Sequence, residues 1–128
     1  MERYHAVGRT GPGIQQEMAE GMKGIEGKWA ATGLSAAWMY TQFADFRINT
    51  FYVEDHRKVA KALGLRPVER GENVWLVVPR DDGVFYRRVE QGHWCVHPVQ
   101  AYLDLRGHPE RAEEAARDLR AKRMTWRA

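Results

Sequence analysis

Three candidate metal or acid–base ligands, His93, Cys95 and His97, alternate in the stretch HWCVH and would share one face of a strand. Imidazole and thiolate are zinc ligands, but the ligands of one zinc stand about 2.0–2.3 Å from the metal. At about 3.3 Å per residue, His93 and His97 would be about 13 Å apart. The row therefore reads as structural, and no metal is expected. Asp81 and Asp82 could hold magnesium, as a nucleotidyl transferase requires. They fall within PRDDG, Pro79–Gly83, where proline lacks a ladder donor, aspartate bends its own backbone and glycine accepts positive φ. A turn accounts for both acids. Ser35, the only serine, lies in an apolar stretch with no assignable base. No catalytic set emerges and no cofactor is expected; the chain reads as a non-enzyme. The glycine-rich GRTGPG, Gly8–Gly13, lacks the Lys-Ser/Thr pair of a phosphate loop.

The remaining candidate chemistry is electrostatic. Arg117, Arg120, Lys122, Arg123 and Arg127 stand against Asp118 alone, and Trp126 offers a stacking surface, a combination that suits single-stranded nucleic acid. The competing reading is a solvated helix whose charges follow its dipole, since Glu110, Glu113 and Glu114 precede the cations.

These residues need a scaffold, and 128 residues supply one domain's worth of chain. With 44% hydrophobic and 29% charged residues, the composition is that of a folded protein. No apolar run approaches the roughly 18 residues of a membrane span, and no signal peptide pattern opens the chain. A soluble, cytoplasmic protein is expected, and the lone Cys95 excludes an internal disulfide. A net charge of +3 permits nucleic-acid contact without demanding it.

Residues 1–26 read as a lead-in, with a short helix over Ile14–Met22. Residues 27–128 read as the folded α/β domain. Thr32 caps an apolar helix to Phe43, Asn49–Val53 is a strand, and Asp55 caps a helix ended by Gly64. His56 lies on that helix's apolar stripe as a half-buried, hydrogen-bonded side chain. Leu65–Val68 is a short strand. Strands Asn73–Val78, Val84–Glu90 and His93–Val96, separated by turns, predict an antiparallel β-meander packed against several helices. The nearly continuous apolar run Val74–Val78 predicts a strand covered on both faces. His97-Pro98 starts the next helix, and Pro109 opens the last.

Four blocks, TGLSAAW (Thr32–Trp38), NVWLVVPRDDGVFY (Asn73–Tyr86), HPVQAYLDL (His97–Leu105) and ERAEEAARDL (Glu110–Leu119), follow one another in a telling order. In order and spacing they resemble the C-terminal domain of antitoxins of AbiE-type, or type IV, bacterial toxin–antitoxin systems. The resemblance covers about Gly27–Arg120, and VQAYLDL is its most specific piece. It implies a transcriptional-regulator family linked to phage defence and to neutralising a nucleotidyltransferase toxin without a stable complex. Family members carry an N-terminal winged helix-turn-helix. The stretch before Gly27 is too short for one, so promoter binding is not carried over. His97 stands where a serine-like cap is expected. Gln100 and Asp104 are motif positions whose role the sequence does not define. The alternative reading is a stand-alone nucleic-acid-binding module using the basic C-terminal helix. The oligomeric state is left open.

Overall fold

The computed structural model describes residues 1–8, 10–41, 46–85, 87–90, 93–105 and 112–123. In chain order the elements are β1 (Glu2–His5), α1 (Gly11–Lys23), β2 (Trp29–Thr32), α2 (Gly33–Thr41), β3 (Asn49–Val53), α3 (His56–Leu63) and β4 (Arg66–Pro67). There follow β5 (Val74–Val77), a 3-10 turn (Asp82–Phe85), β6 (Arg87–Glu90), β7 (His93–Val96), α4 (Pro98–Leu105) and α5 (Ala112–Arg123). Local chemistry explains several boundaries. Asp55 accepts the backbone N–H groups of Arg57 and Lys58 at the start of α3, and Gly64, at φ +67°, closes it in the left-handed conformation.

The seven strands form one mixed sheet in the order β4-β1-β5-β3-β2-β7-β6. The expected mixed α/β class holds, but the antiparallel meander does not. β5 and β6 lie far apart in the sheet, and of the three expected strands β6 and β7 alone are antiparallel neighbours among the described residues. Instead β5 pairs with β1 antiparallel and with β3 parallel, while β2 pairs with β3 antiparallel and with β7 parallel. Of the turn chemistry read after β5, the aspartate part holds, since Asp81 Oδ1 accepts the Gly83 N–H at 2.7 Å, but Gly83 lies in the 3-10 turn and does not take the positive φ expected of it. The chain then enters a 3-10 turn where strand was expected from Val84, and it crosses the sheet rather than reversing. A turn residue specifies a local bend, whereas strand pairing is decided by which apolar faces meet.

Paired residues put their side chains on the same side of a sheet, so the register sorts the two faces. Phe51, Val53, Val74, Leu76 and Cys95 occupy one face and are fully buried. α1 and α3 serve that side: Tyr4 OH lies 2.7 Å from His56 Nδ1, and Asn49 Nδ2 donates to the Gly11 carbonyl at 3.0 Å. His56 is thus the half-buried, hydrogen-bonded histidine expected of its stripe. The other face carries Thr32, Thr50, Tyr52, Trp75 and Val77. α4 covers part of it, leaving Tyr52, Trp75 and Val77 half-buried, so β5 is buried on one face and only partly covered on the other. α2 packs against both α4 and α5.

Residues 2–23, read from the sequence as lead-in, supply β1 and α1 to this same sheet and core. β1 lies between β4 and β5, and Ile14, Met18, Ala19 and Met22 of α1 are buried. Thr10 caps α1, its hydroxyl accepting the Gly13 N–H at 3.0 Å, and Pro12 stands in the first turn.

Candidate functional site at Asp104

α4 begins where His97 Nδ1 accepts the Val99 N–H at 3.1 Å, so the imidazole does the capping work of a serine. Pro98, Ala101 and Leu105 turn into the core. This orientation sets Gln100 and Asp104, one turn apart, at the half-buried margin of the helix over the sheet. β2 runs directly into α2 through Gly33, whose φ of +58° allows the tight junction, and leaves Thr32 facing α4. Tyr52 shares that side of the sheet, because Thr32 pairs with Thr50 and side chains alternate along β3.

All four side chains meet. Asp104 Oδ2 accepts from the Thr32 hydroxyl at 2.6 Å and from the Tyr52 hydroxyl at 2.9 Å, while Oδ1 accepts from Gln100 Nε2 at 2.9 Å. Burial, reinforced by the adjacent Asp104 carboxylate, pushes the Tyr52 phenol well above its ordinary value, so it stays a donor. A carboxylate with three donors from its own chain is suited to anchoring. It ties β2, β3 and α4 together.

No family model, no curated protein and no solved structure matches the chain.

The structure therefore gives Gln100 and Asp104 a shared site and adds Thr32 and Tyr52, which the sequence placed only as a helix cap and a strand residue. The available signal was Asp104 itself: an acid beside the apolar stripe of a short helix requires donors from somewhere. Of the other candidates, Ser35 is committed elsewhere. Its hydroxyl donates to Asn49 Oδ1 at 2.8 Å and accepts the Thr50 N–H at 3.1 Å, inside the core. His93 and Cys95 are buried, whereas His97 lies beyond the end of β7 and is exposed. Among the described residues no group of three or more metal-ligating side chains comes together.

The basic candidates divide. Arg117, Arg120 and Lys122 are exposed on α5, while Ala115, Ala116 and Leu119 face the core. Lys122 Nζ lies 3.2 Å from Asp118 Oδ1, one turn back, and so is partly neutralised. Arg117 and Arg120 share the solvent side. Arg123 ends α5; Trp126 and Arg127 lie outside the described residues. No helix among the described residues is long and apolar enough to cross a membrane.

Proposed function

We propose that the chain is a non-catalytic, antitoxin-type regulatory module of a bacterial type IV toxin–antitoxin, phage-defence system, counteracting a nucleotidyltransferase toxin. The observation that carries this reading is the convergence on Asp104. Thr32 comes from TGLSAAW, and Gln100 and Asp104 come from HPVQAYLDL, blocks that resemble the antitoxin domain. Blocks separated along the chain but joined in space support a common scaffold over a chance likeness of short motifs. A carboxylate engaged by three donors of its own chain favours a scaffold and regulatory role over acid–base catalysis.

Co-expression with a nucleotidyltransferase toxin of a type IV system tests the proposal. Growth restored by this protein is the expected result. Arrest that persists while both proteins are soluble would reject it.

The second reading, nucleic-acid binding, is favoured by the exposure of Arg117 and Arg120 on one side of α5. Reversing both to Glu should weaken binding to single-stranded nucleic acid and reduce the dependence of affinity on salt by about one unit per lost phosphate contact. An unchanged salt slope removes that surface from consideration.

A further inference from the structure

On the sheet face opposite Asp104, a cavity of about 320 Å³ lies between the first turn of α1, α2 and the start of β7, lined by Gln15, Gln16, Trp38, Met39 and His93. Two of its side chains are almost wholly buried yet incompletely bonded. Gln15, 1% exposed, donates through Nε2 to the Ser35 carbonyl at 3.2 Å, while its Oε1 has no partner among the described residues. His93, 6% exposed, has no partner at Nδ1 among the described residues. Burying a polar atom without a partner is costly, so native structures seldom keep one unless something satisfies it.

The lining limits what that something can be. No charged side chain lines the cavity among the described residues. The α1 terminus offers little to an anion: Pro12 has no N–H, the Gly13 N–H is taken by the Thr10 hydroxyl, and the Ile14 N–H by the Thr10 carbonyl. Phosphate and carboxylate ligands are thereby disfavoured despite the glycine-rich approach. The Ser35 bond fixes the Gln15 amide so that Oε1 calls for a donor. Trp38 adds an aromatic wall, held against Phe46 with ring centroids 6.2 Å apart. Aromatic walls with amide and imidazole groups suit flat, uncharged heterocycles.

We propose that this cavity binds a nucleobase, uncharged and planar, whose amino or amide N–H reaches Gln15 Oε1 and whose ring edge pairs with His93 Nδ1. Each of these two atoms exposes less than 1 Å², so the base reaches them only as the Gln15 and His93 side chains turn from the wall toward the cavity. The site is independent of the Asp104 reading.

Titration of 15N-labelled protein tests it, with the imidazole nitrogens of His93 and the side-chain amide of Gln15 observed by NMR. Adenosine, guanosine, cytidine and uridine form one arm, and a mixed-sequence single-stranded DNA forms the other. Saturable shifts of both groups with a nucleoside support the site with a free base or nucleoside as its ligand. Shifts with the strand alone support it with a base presented by nucleic acid. His93→Phe, which keeps the ring and removes the nitrogens, should weaken the response at least tenfold. Should that variant fail to fold, Trp38→Leu serves in its place. If neither arm shifts the two groups saturably, or if slowly exchanging water alone is found beside them, the proposal is overturned.

Discussion

Asp104 is held by three donors, and each loses its partner when the carboxylate is removed. Thr32 is 2% exposed, so its stranded hydroxyl has little access to water. Asp104→Ala should destabilise the fold by about 1–3 kcal/mol, measured by urea denaturation. Pairing it with Thr32→Val removes the stranded hydroxyl as well, and the double variant should be less destabilised than the two single costs predict together. Strict additivity would mean that Thr32 and Asp104 are not coupled. His93 provides a second test. Burial, with Lys23 adding to it and Glu20 opposing, holds its imidazole below the ordinary histidine value. The unfolded chain takes up this proton near pH 6.5, but the folded chain does so only lower. Its contribution is therefore complete above about pH 6.5 and declines as pH falls toward the depressed folded value. The urea midpoint of the wild type should drop more between pH 7 and 5 than that of His93→Gln. Equal drops would show that His93 is not depressed.

At the scale of elements, Gly33 lets β2 pass straight into α2 at φ +58°, a conformation that costs an ordinary residue roughly 1–2 kcal/mol. Gly33→Ala should lower stability by about that amount in thermal unfolding, and an unchanged midpoint would indicate a relaxed junction. Such local features were largely legible beforehand. Asn49–Val53 and His93–Val96 read as strands to the residue, and Asp55 and Gly64 mark the ends of α3 as their capping chemistry requires. Long-range features were not legible. Asp104 meets partners 72 and 52 positions away, and no local pattern encodes that distance. The meander failed for the same reason: PRDDG describes a bend, not the strand beyond it. α1 was drawn too short because its first residues, Gly11, Pro12 and Gly13, carry no apolar period, although Thr10 and Pro12 supply a good helix start.

For the whole molecule, β1 matters more than its four residues suggest. It completes the ladders of both β4 and β5, and Tyr4 crosses to His56. Removing residues 1–10 would uncover one edge of β5, whose Val74 and Leu76 are wholly buried, and would invite edge-to-edge association. The truncated protein should lose its cooperative unfolding transition or elute as aggregates on size exclusion. A monomer with wild-type stability would show that β1 is dispensable. The same strand sets the timing of biosynthesis. β1 is made first, but its partners begin only at Arg66 and Val74, and β2 must wait for β7 at His93. At about 5–20 residues per second, the leading strand spends seconds on the ribosome without a ladder to join. A sheet whose neighbours are so far apart in sequence closes late and slowly, so nascent chains of this protein are the form most exposed to chaperones and proteases.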